Sequence, residues 1–414
     1  MKEPTPTSTH SSCTIRPFEP ADRAAVLSLY ETVFGRERST DWFRWKYEDN
    51  PYVDHVPIIV AEIDGKLVGC RAFFAQEMRI NGSERIAFQP CDTMVHPSYQ
   101  GQGLFDRMNE WALERYSDRA PTFCFNFPNE KSKPGNLKHG WKEIGTFPVY
   151  YRPQDPVGSV KELTSGDGNG GGNDDGSTGG ADTRTTSDGA NGSNDDSAVN
   201  PRHDYPHGYD DPVTEPESGG VTNAIAKVIT SSHQAGDRLV TQSPDDMAVV
   251  RFETPPPDVL ETVYRRSVPD GIHTNRTAEF YRWRFENPTQ TYTTYVATRD
   301  GETPLAALVL SRVDDHLRIV ESLPRKIESE REAINHLLVA ALTDSQDRNY
   351  VTAFGKTLPT PIRYRFYPDT RFPLSTLVKP TARTLLARDL GDKTGLEESG
   401  TSDWNLSRLD LDTT

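Results

Sequence analysis

The chain has 414 residues, long enough for two or three packed domains, with 34% hydrophobic residues and a formal net charge of −15. That balance argues against a general nucleic-acid coat, which needs clustered Lys and Arg. There is no run of 18 apolar residues for a membrane helix, and MKEPTPTSTHSSC lacks the apolar core of a secretory signal, so a cytoplasmic location is expected, in a host whose cytoplasm is rich in salt.

In chain order, CTIRPFE reads as a strand and ADRAAVLSLYETVFG as a helix with apolar positions at Ala25, Leu27, Leu29 and Val33. STDWFRWKYEDNP predicts a second helix, with Ser39 or Thr40 as N-cap and a stop before Pro51. Asp64-Gly65 and Asn81-Gly82 are hairpin corners between strands. The strand CDTMV runs into the corner HPSYQGQG, and the helix after it shows Leu104, Met108, Trp111 and Ala112 on one face. PTFCFNF, a short helix over 131–139, and EIGTFPVYYRP as the last strand complete a first unit.

From Thr164 to Ala198 no Val, Ile, Leu, Met, Phe, Tyr, Trp or Cys occurs, and ten residues are glycine. Nothing there offsets the entropy of ordering, so a flexible linker with a reach of roughly 30–35 Å is expected. The chain thus divides into 13–155, a disordered linker 156–220, and 221–414. The second unit repeats the first. DWFRWKYEDNP (41–51) faces EFYRWRFENP (279–288), and VAEIDGKLVGCRAFF (60–74) faces VATRDGETPLAALVL (296–310). TFPVYYRP (146–153) faces RFPLSTLVKP (371–380). Three anchors in one order point to internal duplication.

The four cysteines lack CxxC spacing and read as reduced thiols, and the ten histidines form no metal pattern. His203 and His207 lie in a Pro/Asp-rich stretch with no helix to align them. The glycine corner carries more. A helix start leaves N–H groups unpaired and bears partial positive charge. Gly101 and Gly103 let the loop curl its amides toward one point, a cradle for phosphate, although a lone Gly-x-Gly also makes plain turns. The loop is neither a Walker A sequence nor the dinucleotide fingerprint.

MVHPSYQGQGLF resembles the acetyl-coenzyme A loop of the GNAT (GCN5-related) acetyltransferases, Gln/Arg-x-x-Gly-x-Gly/Ala after a Val-x-Pro strand end. Gln100 and Gly103 match, and Phe105 stands where Gly or Ala is usual. NEKSKPGNLKHGW is similar to the family's later pattern at Asn129, Ser132, Gly140 and Trp141. The resemblance covers about 13–153 well and 275–380 weakly. It implies an α/β fold of two GNAT-like units, each a mixed central sheet flanked by helices, the second degenerate because LPRKIESEREAINHLL has no glycine corner.

The resemblance also implies that acetyl-CoA is the co-substrate, lying in a split between the strand ending at Val95 and the strand near Phe125. Amides of Gln100, Gly101, Gln102, Gly103 and Leu104, with Phe105 following, hold the pyrophosphate. Met94 or Val95 bonds the pantetheine arm and the thioester oxygen, and Asn129 contacts the arm. Asp92 is the base candidate, against a carboxylate that only caps an amide. The family's acid tyrosine is replaced by Asn136, with Tyr150 or Tyr151 as substitutes against strand core. Glu77 and Glu84 read as surface charges, Cys91 as an ordinary buried thiol, and Trp45 as core. The implied activity is transfer of acetyl to a primary amine of a small molecule or protein, without nucleic acid or membrane, with a homodimer left open. The alternatives are a non-catalytic acetyl-CoA-binding regulator and a tandem aminoacyl transferase.

Overall fold

The computed structural model describes residues 13–118, 120–130, 132–154, 247–313, 316–326, 330–372, 374–377, 383–391 and 394–412. The linker expectation, and His203 and His207 with it, lie outside the described residues. The first unit runs β1 (Cys13–Pro17), α1 (Arg23–Phe34), α2 (Thr40–Phe43), β2 (Ile58–Ile63), β3 (Lys66–Ile80) and β4 (Ser83–Val95). It continues with α3 (Leu104–Arg115), β5 (Phe123–Asn126), α4 (Lys133–Lys138), β6 (Lys142–Phe147) and β7 (Val149–Pro153). The second runs β8 (Met247–Phe252), α5 (Pro257–Arg265), β9 (His273–Thr274), α6 (Ala278–Phe285), β10 (Tyr292–Arg299), β11 (Thr303–Val313) and β12 (His316–Leu323). Then come α7 (Arg331–Thr343), β13 (Tyr350–Phe354), α8 (Thr360–Arg363), β14 (Tyr367–Pro368), α9 (Leu374–Leu377) and β15 (Arg383–Asp389).

The corners fold as their residues dictate. Asp64-Gly65, Asn81-Gly82 and Asp300-Gly301 all take positive φ at both positions, the type I′ geometry that matches strand twist. Ser39 caps α2 by accepting from the Trp42 amide, and Thr277 caps α6 the same way from Phe280. Arg44–Glu48 continues α2 as a π-helical turn, a feature common at functional sites.

The repeat is built into one symmetrical contact. Trp45 Nε1 donates to the Trp283 carbonyl at 2.7 Å, and Trp283 Nε1 donates to the Trp45 carbonyl at 2.9 Å. The two indoles stack with centroids 6.1 Å apart. A single apolar core spans this contact, from Trp42, Phe43 and Phe74 to Phe280, Val309 and Val320.

The expected last strand EIGTFPVYYRP is two strands, and they belong to different sheets. The first sheet has the order β1-β2-β3-β4-β5-β15-β6, and the second β14-β7-β13-β12-β11-β10-β8. Pro148 breaks the run, because proline offers no N–H to a ladder. Beyond it β7 pairs with β13 and β14. In return β15 lies between β5 and β6. Each unit therefore lends one strand to the other. The expected match of 146–153 with 371–380 is corrected accordingly: Leu374–Leu377 is helical, and β14 and β15 occupy the places that answer to β6 and β7.

Candidate active site

The site starts from an irregularity in β4. Cys70 pairs with Met94 and Ala72 with Cys91, so Arg71 of β3 faces two residues, Asp92 and Thr93. This bulge twists the strand and re-aims its side chains. Asp92 takes φ +43, a backbone state uncommon outside glycine.

On the other edge β4 pairs with β5 only at Ala87↔Phe123 and Phe88↔Cys124. β5 ends at Asn126 while β4 continues to Val95, so a gap widens between them. The His96 amide donates to the Val68 carbonyl at 2.8 Å. Since bonded and non-bonded pairs alternate along an antiparallel ladder, Met94 turns its N–H toward β3 and Val95 turns its N–H toward the gap. Gln100 Nε2 reaches the Val95 carbonyl at 3.2 Å and folds the loop over the strand end.

The glycine corner is open. Gly101 and Gly103 have φ +74 and +72, and Gly103 is the N-cap of α3. No heavy atom lies within 4 Å of where a Gly103 Cβ would stand, and Gly101, Gln102 and Gly103 are exposed. Phe105 does not plug the bend. Its ring lies toward α4, where a Gly135 Cβ would approach it to 3.4 Å. Asn129 Oδ1 accepts from the Ser132 amide at 2.9 Å and from Ser132 Oγ at 3.1 Å, so it shapes the entry to α4.

Two narrow voids meet at Asp92. One is lined by Arg71, Cys91, Asp92, Thr93, Asn126 and Asn136, among others. The other is apolar and lies under α1 and α2 against Tyr30, Trp42, Tyr47 and Met94. Asp92 does not cap an amide. Its Oδ2 accepts from Lys46 Nζ at 2.6 Å and from the Tyr47 hydroxyl. No hydrogen bond from the described residues reaches its Oδ1. Asp412 lies 3.7 Å from Lys46 on the other side. Burial opposes the Lys46 charge, but the Asp92 and Asp412 carboxylates outweigh it and raise its pKa. Burial and the nearby Asp92 raise the Asp412 carboxyl, with Lys46 pulling the other way. Burial also pushes the Cys91 thiol well above its ordinary range, which leaves it a poor nucleophile.

Other expected residues fall elsewhere. Tyr150 and Tyr151 lie on β7, in the second sheet. Glu77 and Glu84 are not plain surface charges: both accept from Asn275 Nδ2 of the second unit, at 2.7 and 3.1 Å. Lys46, Asp412 and Arg71 were not singled out by the motifs. Lys46 carries a signal in the repeat, where it faces the other buried cation Arg284, and Arg71 interrupts an apolar strand. Asp412 carries none.

In the second unit the corresponding strands pair over more positions. β12 and β13 pair over four positions, His316↔Tyr350 to Ile319↔Ala353. Beyond them Arg325 pairs with Glu321 at 2.8 Å and bonds Asn405, and Arg276 pairs with Glu321 and with Asp410. Among the described residues no helix is long and apolar enough to cross a membrane, and no cluster of metal-ligating side chains is present.

A family model described as an acetyltransferase (GNAT) domain matches residues 14–143. A GCN5-related N-acetyltransferase from Anabaena variabilis is 10% identical, with 94% of this chain and 75% of that one covered at a TM-score of 0.56. One from Kribbella flavida is 12% identical, with 93% and 72% covered at 0.54. A probable N-acyltransferase from Enterococcus faecalis is 10% identical, with 92% and 73% covered at 0.55. At these identities the likeness speaks for the fold. No curated protein matches the sequence. The widening β4–β5 gap, the glycine corner beside it and the repeated architecture thus lead to one conclusion: residues 14–143 match a GNAT acetyltransferase domain, in a chain whose fold is two GNAT-like units.

Proposed function

We propose that the first unit is an N-acyltransferase that takes acyl-CoA, with acetyl-CoA as the simplest donor, and passes the acyl group to a primary amine. The reading rests on one observation above others: a corner of exposed residues, Gly101 to Gly103, at the start of α3 stands beside a gap into which Val95 turns its N–H. The residues present fit a thioester of coenzyme A, because the cradle is open at Gly103. A preset donor aimed where charge grows on the thioester oxygen contributes about 3–4 kcal/mol in comparable sites.

Asp92 is placed to take the amine's proton. It lines both voids, and its Oδ2 is anchored while Oδ1 is left clear. Asp412 gives this role a physical basis. When Asp92 accepts a proton, Lys46 keeps a carboxylate at 3.7 Å and is not left as an uncompensated buried cation. With Asn136 in the tyrosine slot, no acid stands ready for the leaving sulfur. A thiol with a reference pKa near 8.5 leaves as thiolate with modest help.

Calorimetry with acetyl-CoA on wild type, Gly103→Glu and Gly103→Ala tests the reading. The two variants share the strain of a left-handed backbone, but only Glu brings negative charge into the anion seat. Loss of binding in Glu by at least about 10-fold beyond Ala is expected. Equal binding by all three proteins would place the cofactor elsewhere.

A further inference from the structure

Arg71 is 2% exposed and has no ion pair among the described residues. Its Nη1 donates to Thr93 Oγ1 at 3.2 Å, and its Nε is buried without a partner. The guanidinium otherwise lies between two rings, 5.1 Å from the Phe105 centroid and 5.4 Å from that of Phe73. Three other buried arginines are held differently: Arg276 by Glu321 and Asp410, Arg325 by Glu321, and Arg284 by the Leu409 carbonyl, to which it donates. A buried cation with only a hydroxyl beside it is costly, and burial accordingly pushes its pKa down to about 10.

Its position limits what can complete it. Arg71 lines the first of the two voids, whose β4 wall is Pro90 to Thr93. At roughly 3.3 Å per residue this wall lies about 7–17 Å along the strand from Val95. Val95 and the glycine corner stand at the mouth, so the void begins where a thioester ends. We propose that Arg71 seats a carboxylate at the far end of the acyl group, so that the preferred donor is a dicarboxylic half-thioester of coenzyme A. This rests on the acyltransferase reading above and narrows its donor. The reaction balances as any acyl transfer: the amine nitrogen bonds the thioester carbon, the carbon–sulfur bond breaks, and the amine proton leaves to Asp92, while the distal carboxylate is unchanged.

The test is calorimetry of the full chain with acetyl-CoA, succinyl-CoA and free CoA, on wild type, Arg71→Met and Arg71→Lys. Wild type is expected to bind succinyl-CoA at least 10-fold tighter than acetyl-CoA. Arg71→Met is expected to erase that margin, while Arg71→Lys keeps part of it. The melting temperature of Arg71→Met should hold or rise, since an unpaired buried charge has been removed. Equal binding of the two esters by wild type overturns the proposal without any variant. So does an equal loss of all three ligands in Arg71→Met, which would put Arg71 on the shared part of the cofactor. Binding of none of the three by wild type overturns the acyltransferase reading itself, and the proposal with it.

Discussion

At the scale of residues, the site is a chain of charges in which each member depends on the next. Asp92 and Asp412 share Lys46, whose side chain is 4% exposed. Stranding a buried charge costs about 3–5 kcal/mol. Asp92→Asn leaves Lys46 the Asp412 carboxylate, so it is expected to abolish turnover at a smaller cost in melting temperature than the double change Asp92→Asn with Asp412→Asn. Asp412→Asn should act more subtly. It leaves Asp92 as the sole counter-charge to Lys46, so a neutral Asp92 would strand a buried cation. The expected result is a lower kcat with acyl-CoA binding unchanged. An unchanged kcat would remove Asp412 from the chemistry. The turn at Gly101 and Gly103 is legible in the sequence because loop chemistry is local. Asp412 is not, since its partner Lys46 is 366 residues away and no spacing rule links them.

At the scale of elements, most strands and helices could be read from periodicity and turn residues. Asp64-Gly65, Asn81-Gly82 and the Ser39 cap all act within a few positions. What could not be read is which strand lies beside which. The alternation of β7 and β15 marks a strand but not its neighbour, and only the break at Pro148 hinted that EIGTFPVYYRP was not one piece. The two-residue strand β9 escaped notice for the same reason, though it pairs with β3 at Met78 and Arg79 and ties the two units. It also carries a titration. Burial, with the charge of Arg276, lowers the His273 pKa to about 4. The unfolded chain, near 6.5, binds the proton first, so stability falls as pH drops through that window. The cost approaches about 3 kcal/mol once pH reaches 4. His316, lowered to about 3 chiefly by burial, adds a similar demand. Urea midpoints at pH 7 and 4.5 should show this loss, and His273→Gln should shrink it. An equal loss in both proteins would assign the acid sensitivity elsewhere.

At the scale of the whole molecule, the exchange of strands joins the two units more firmly than a tether would. The first sheet needs β15 between β5 and β6, and the second needs β7 between β13 and β14. The 404–412 segment adds to this. Ile272 and Trp404 form a bridge, Gln89 Nε2 donates to the Asp410 carbonyl at 2.5 Å, and the segment ends beside Lys46. The fragment 13–153 is therefore expected not to fold alone, whereas mixing it with 221–414 should restore a cooperative melt. A well-dispersed amide spectrum from 13–153 by itself would contradict that.

The same exchange sets a schedule for synthesis. β6 ends at Phe147, and the strand that must lie beside it begins at Arg383. At about 5–20 residues per second, some ten to fifty seconds of translation separate them. For that time the nascent chain carries an unfilled slot with bare strand edges on either side, the kind of surface that chaperones cover and that aggregation exploits.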